Sequence, residues 1–271
     1  ISPRMTELLG VSLIIDNRGG ASGFIGAEIV AKAPPDGYTM MLATASITSI
    51  NMVVYPKRPY DTLRDLQPLT PLMSTATLLV VHPSLPATSL KALIALAKAQ
   101  PGKITVGNSG IGSHTHITSA ALFKSAGVDV NDIPYAAGQV VPALLGGHVD
   151  VLVLLPAAIA GQLKSGAVRV LTAVSAQRDS LLPDVPTAQE LGFSVALDAW
   201  RGVAVPKGTP KNAIAILEKA IRQTVQSAEF QGGAERVYVK PAFMSASEFG
   251  ALIAKEDAEL AKLMQSIGLK K

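Results

Sequence analysis

The sequence predicts an α/β protein of two lobes, each with its own sheet, and a ligand cleft between them. Three observations carry this. Short apolar runs alternate with helical segments along most of the chain. Several runs, above all 151–155 within the strand read over 149–155, are apolar without interruption, as in strands covered on both faces. Two places, 78–83 and 200–206, read as hinge crossings, so the second lobe is inserted into the first. The division this gives is 1–81 with 204–271 for the first lobe and 82–203 for the second. A chain of 271 residues is long for one core and comfortable for two.

The elements follow in order. Residues 11–15 form a β-branched run read as a strand, stopped by the turn residues Asp16-Asn17-Arg18-Gly19-Gly20. A helix over 26–33 ends at Pro34-Pro35-Asp36-Gly37, where proline lacks a donor and glycine permits the turn. Strands are expected over 38–43 and 78–81. Apolar residues at 90, 93, 94, 96 and 97 make one helical face over 89–99, closed by Pro101-Gly102. A strand at 104–106 runs into a glycine-rich loop, then a helix over 115–125 and a strand end at 133–135. A helix at 140–145, a strand at 149–155, a helix at 157–165 and a strand at 168–174 complete the second lobe. Strands near 203–205 and 237–239 and amphipathic helices over 211–227 and 247–267 finish the chain. No internal repeat, low-complexity tract or long linker interrupts the pattern.

Composition excludes several classes. The chain is 48% hydrophobic and 16% charged, which argues against disorder, and only 4% aromatic, so its core is aliphatic. Net charge is +4, and the 24 basic residues form no cluster of the kind nucleic-acid binding demands. With no cysteine there is no thiol nucleophile, disulfide or thiolate metal site. No apolar stretch approaches the ~18 residues of a membrane span. The chain opens Ile1-Ser2-Pro3-Arg4-Met5 with neither an initiating methionine nor a visible signal peptide, which points to a processed or partial product.

The most specific local signal is Gly107-Asn108-Ser109-Gly110-Ile111-Gly112-Ser113-His114-Thr115, between a strand and a helix. Its glycines allow tight turning, Ser113 is placed to cap the helix, and first-turn N–H groups suit a carboxylate or phosphate. An ordinary strand–helix turn stays open as the plainer reading. The loop lacks the Gly-Lys-Ser/Thr of a phosphate-binding loop and the glycine order of a dinucleotide fingerprint, so no cofactor is expected. His114 and His116 are two apart and so project to different helix faces, which disfavours a shared metal; solvated or capping roles are expected instead. The nucleophile motif Gly-x-Ser-x-Gly is absent. Thr44, Ala45 and Ser46 follow a strand, either as ligand contacts or as a helix cap. Tyr135 ends another strand, and Ala157 begins a helix after a third. Trp200, the only tryptophan, either walls the cleft or packs against the hinge.

These motifs resemble the Bug family, the substrate-binding proteins of tripartite tricarboxylate transporters. The resemblance runs from Asp16–Gly23 and Ala31–Thr39 through Pro59-Tyr60-Asp61, Val81-His82-Pro83-Ser84, Gly110–His114, Pro134-Tyr135 and Gly146–Asp150 to Leu182–Thr187 and Pro206–Pro210. It implies a fold like the type II periplasmic binding proteins and a periplasmic, non-enzymatic, monomeric receptor that delivers a small carboxylate to transporter membrane subunits. It implies ligand contacts at Thr44, Ala45, Ser46, Ser109, Gly110, Ile111, Gly112, Ser113, Tyr135 and Ala157. It also implies a further N-terminal strand and loop that this chain does not contain. In the family this resembles, many members carry a polar or acidic residue, often Asp, in the strand before the proline matching Pro156. The apolar Val151-Leu152-Val153-Leu154-Leu155 argues instead against amino-acid ligands and for a carboxylate with an apolar body; a di- or aromatic carboxylate is the expected ligand. A hydrolase using a serine near 109–113 and a sensory co-receptor of a histidine kinase are the alternatives.

Overall fold

A computed structural model describes residues 1–54, 57, 59–136 and 138–268. It divides into two units: Ile1–Ser74 with Trp200–Glu235 and Lys240–Lys271, and Thr75–Ala199 with Arg236–Val239. The first unit holds strands β1 (Met41–Ala43), β2 (Leu66–Thr75), β8 (Ala199–Pro206) and β9 (Lys240–Pro241), in the order β1-β8-β2-β9. The second holds β3 (Leu78–Val81), β4 (Thr105–Asn108), β5 (Asn131–Pro134), β6 (Val151–Leu154) and β7 (Arg169–Ala173), in the order β5-β4-β6-β3-β7.

The boundaries differ from the sequence reading for a physical reason. β3 is fully buried between β6 and β7, antiparallel to both, so it belongs to the second sheet and the first crossing falls before Thr75. β8 is eight residues long and pairs with β1 in the first sheet, so the second crossing falls before Trp200. A further excursion over Arg236–Val239 joins the second unit; residues 237–239 form no strand, and the short β9 follows them. Residues 11–15 form no strand either: Ile14 is 90% and Ile15 63% exposed. Tyr38 lies outside β1 at 86% exposure, and Leu42 within it is exposed, so this is not the buried strand expected over 38–43.

The first unit packs helices Ser2–Leu9 and Lys211–Val225 against β2 and β8 through Met5, Leu69, Leu72, Val203, Val205, Leu217 and Ile221. A smaller cluster joins Phe24, Ala27 and Val30 of the Phe24–Ala31 helix to Ile47, Tyr60 and Leu66. The buried Tyr60 hydroxyl donates to Ile47 O at 3.0 Å. In the second unit Leu78, Val80, Leu152 and Leu154 pack with Val140, Ala143 and Leu144 of the Val140–Leu145 helix. The Leu90–Ala99 helix buries Leu90, Leu93, Ile94 and Ala97, its predicted face, and Ser89 caps it by accepting from Ala92 N–H at 3.2 Å.

Candidate ligand-binding site

In the second unit β4 pairs in parallel with β5 and with β6, so three carboxyl ends lie along one edge of the sheet. Asp150 holds the opposite end of this register: its Oδ2 accepts from Thr105 N–H at 2.9 Å and Thr105 Oγ1 at 2.7 Å. The carboxyl edge gathers the 107–115 loop after β4, Tyr135 after β5 and Ala157 after β6. Carboxyl edges of α/β sheets are where ligands bind.

The loop is knit by its own polar groups. Ser109 N–H donates to Thr115 Oγ1 at 3.1 Å, and Gly110 N–H to Asn108 Oδ1 at 3.0 Å. Gly112 N–H donates to His116 Nδ1 at 3.2 Å, and Ser113 N–H to Gly110 O at 3.1 Å. Ser113 Oγ accepts from His116 N–H at 3.2 Å, the expected cap of the His114–Ser125 helix. Gly110 and Gly112 sit at φ of 106° and 75°, a conformation that only glycine adopts without strain. Thus the glycines do serve the turn, but their N–H groups point to internal acceptors. Ser109 and Ile111 face outward, Ile111 at 61% exposure.

The histidines at 114 and 116 are buried rather than solvated. His114 Nε2 and Thr77 Oγ1 are 2.9 Å apart, both buried, and Thr77 Oγ1 also donates to Leu197 O. His116 accepts through Nδ1, so its proton is on Nε2. Burial lowers its pKa below the usual 6.5, opposed by the nearby Asp132 carboxylate. Burial raises the pKa of Asp132, opposed by His116 and by bonds from Ser119 Oγ at 3.2 Å and Asn108 Nδ2 at 3.4 Å. Asn108 therefore joins the loop to this charged layer beneath it. Tyr135 is half-buried against the second core, and its N–H donates to Asn108 O at 3.0 Å. Ala157 is exposed in the short helix Pro156–Ile159.

In the first unit the chain leaves β1 at Thr44 and enters the helical run Ser46–Val54. Thr44 O accepts from Ile47 and Thr48 N–H, both at 3.0 Å, and Thr44 Oγ1 accepts from Ile47 N–H at 3.4 Å. Thr44 thus acts as the cap that was the alternative reading. Ala45 is buried, and Thr44 and Ser46 are half-buried. Trp200 packs inside the unit: its ring meets Phe249 edge-on at 5.0 Å, and Nε1 donates to Glu256 Oε2 at 2.7 Å. No residue pattern in the sequence reading singled out Asn108, His116 and Asp132 as a connected layer. The signal was present in the polar residues at 108, 116 and 132, but their contact depends on how β5 pairs with β4.

Two α/β units, one with a polar loop at a parallel carboxyl edge, make up a fold that solved periplasmic binding proteins share. Residues 1–269 match the family model described as "Tripartite tricarboxylate transporter family receptor", and the chain belongs to that family. It is 32% identical over 269 residues to Protein BugT of Bordetella pertussis, covering 98% of this chain and 82% of that one. The solved structure described as "R. palustris Rpa4515 with adipate" shares 30% identity, with a TM-score of 0.93, covering 98% of this chain and 90% of that one. The periplasmic binding protein BugD shares 27% identity with a TM-score of 0.91, covering 100% and 91%. The chain is accordingly a receptor of the transport class and not an enzyme.

Proposed function

We propose that the protein captures a small di- or aromatic carboxylate in the periplasm and, as a monomer, delivers it to the membrane subunits of a tripartite transporter. The observation that carries this reading is the convergence of the 107–115 loop, Tyr135 and Ala157 on one carboxyl edge, above a helix start that favours negative charge. Ser109, Gly110, Ile111, Gly112 and Ser113 shape that surface. Because the N–H groups of Ser109, Gly110, Gly112 and Ser113 are already bonded, the carboxylate is met by hydroxyls, by bridging waters and by N–H groups that change partner on binding. The adipate complex of the similar R. palustris protein supports the ligand class.

A thermal-unfolding screen of aliphatic and aromatic mono- and dicarboxylates tests this, since a ligand bound only by the native state raises the unfolding temperature. A positive shift with at least one carboxylate, and its recovery unaltered by mass spectrometry, is expected. A flat response to all of them, or turnover of the bound compound, would overturn the reading.

A further inference from the structure

The polar layer beneath the 107–115 loop lies within the second unit and treats the two loop glycines differently. Asp132 Oδ1 accepts from Asn108 Nδ2 at 3.4 Å and from Ser119 Oγ at 3.2 Å. Asn108 and Ser119 are buried. The other end of the Asn108 amide, Oδ1, accepts from Gly110 N–H at 3.0 Å. A carboxylate only accepts, so it dictates which end of the amide faces it and leaves the oxygen for Gly110. An amide at 132 would take the Asn108 side chain either way round. Turned over, Asn108 would set its NH2 against Gly110 N–H, donor against donor.

His116 closes the second bond, accepting Gly112 N–H through Nδ1 at 3.2 Å. This bond lasts only while the imidazole is neutral, because a protonated Nδ1 is a donor. The elements packed against the His114–Ser125 helix here are β4, β5 and β6. β4 presents Asn108, and β6 is apolar throughout. β5 presents Asp132, the charged group that acts on His116 among the described residues; it favours the imidazolium, against the burial that disfavours it. His114, the other titratable group of this helix turn, has Nε2 2.9 Å from Thr77 Oγ1. Asp132 therefore fastens one glycine N–H and loosens the other. Gly110 is locked inward through Asn108, whereas Gly112 is held by a ring that Asp132 draws toward protonation.

We propose that Asp132 is the positioning residue of this loop, selecting Gly112 N–H as the donor that turns to a carboxylate while His116 takes up a proton from solvent at Nδ1. The charges balance: the incoming anion is matched by the imidazolium beneath it, and Asp132 faces that imidazolium from β5. Asp132 acts from under the loop, through Asn108 and His116. The release of Gly112 N–H rests on the reading that the loop takes a carboxylate; the locking of Gly110 does not.

Two measurements on the full chain test this. The first needs no solute: hydrogen exchange and nitrogen NMR follow Gly110, Gly112 and His116 through a pH titration. In the wild type Gly112 N–H should lose protection as His116 protonates, and Gly110 N–H should keep it. In the isosteric Asp132→Asn, Gly110 N–H should exchange about tenfold faster or more, and the His116 transition should move to lower pH. The unfolding temperature, read alongside, separates this local loss from general destabilisation. The second is calorimetry with adipate, glutarate or benzoate, whichever most raises the unfolding temperature, in two buffers of different ionisation enthalpy. The wild type should take up protons on binding and bind more tightly as pH falls from about 7.5 to about 6.5. His116→Asn should bind with no proton uptake. Gly110 exchange unchanged in a folded Asp132→Asn, wild-type binding that ignores the buffer, or proton uptake that survives in His116→Asn each overturns the proposal. If Asp132→Asn does not fold, the wild-type and His116→Asn buffer dependence decides. If none of the three acids binds, the loop reading fails and the release step with it, whereas Gly110 exchange still decides the positioning role of Asp132.

Discussion

The 107–115 loop of the second unit and the β1–β8 edge of the first are built by opposite means. The loop supplies its own acceptors: Asn108, Thr115, His116 and Ser113 hold the N–H groups of Gly110, Ser109, Gly112 and His116. Its shape is set before any ligand arrives, and its polar groups are largely spent. The β1–β8 edge is held from behind, where Trp200, Gly202 and Phe249 interlock and Glu256 fixes the indole. Its face away from that helix keeps an arginine without a carboxylate partner among the described residues. The contrast teaches that a loop can be shaped by its own hydrogen bonds, whereas a strand edge takes its shape from the side chains packed behind it.

The contrast breaks most visibly from behind the β1–β8 edge. Phe249 is fully buried, touches Trp200 and fills the space that Gly202 leaves open. Phe249→Ala should destabilise the protein by about 3–5 kcal/mol through cavity formation. Urea unfolding checks this; a loss below about 1 kcal/mol would mean the edge does not depend on that helix.

A smaller effect is expected in the loop. Gly112 at φ 75° carries the N–H that binds His116, and a β-branched residue is strained there. Gly112→Val should leave the fold intact and weaken carboxylate binding by more than about tenfold, or 1.4 kcal/mol. Unchanged affinity by calorimetry in the folded variant would remove the loop from the site.

The smallest effect depends on pH and touches only the loop. The unfolded chain protonates a histidine near 6.5, whereas buried His116 protonates at lower pH. Between those values the unfolded state binds more protons, so this residue's contribution is full above 6.5 and is lost as pH falls. Protonation of Nδ1 also removes the acceptor for Gly112 N–H. Asp132 runs the other way: its raised pKa means the folded state binds more protons above 3.8, so its burial costs stability as pH rises through that window. His116→Asn, whose Oδ1 accepts the same N–H, should flatten the acid-side fall in unfolding temperature. A variant with the wild-type slope would show that another group titrates.

Much of this was readable along the chain. Leu78–Val81 and Val140–Leu145 match their expected bounds, and Ser89, Ser113 and the glycines at 110 and 112 do the local work their positions suggested. These features depend on neighbours only a few residues away: a cap, a turn, an apolar face. Other elements escaped. β2 runs ten residues through Pro68 and Pro71, residues that locally argue against a strand. The β-branched run 11–15 has strand propensity but pairs with nothing among the described residues. The cap role of Thr44 and the ligand role expected of it could not be separated from sequence, because both use the same hydroxyl at the same strand end.

By itself the sequence determined the α/β alternation, the aliphatic core and the glycine loop, since periodicity, composition and φ preference are local quantities. The tertiary structure decided which sheet owns β3 and β8, because pairing partners lie far apart in the chain, Met41 opposite Ala204 for one, and no local pattern encodes them. It also decided the state of two side chains. Any arginine or histidine looks the same in a sequence; only the fold withdraws Arg201 from water beside Thr44 and turns His116 Nδ1 onto Gly112. Desolvation and hydrogen bonding depend on everything that surrounds a group, and those surroundings exist only once the chain has folded.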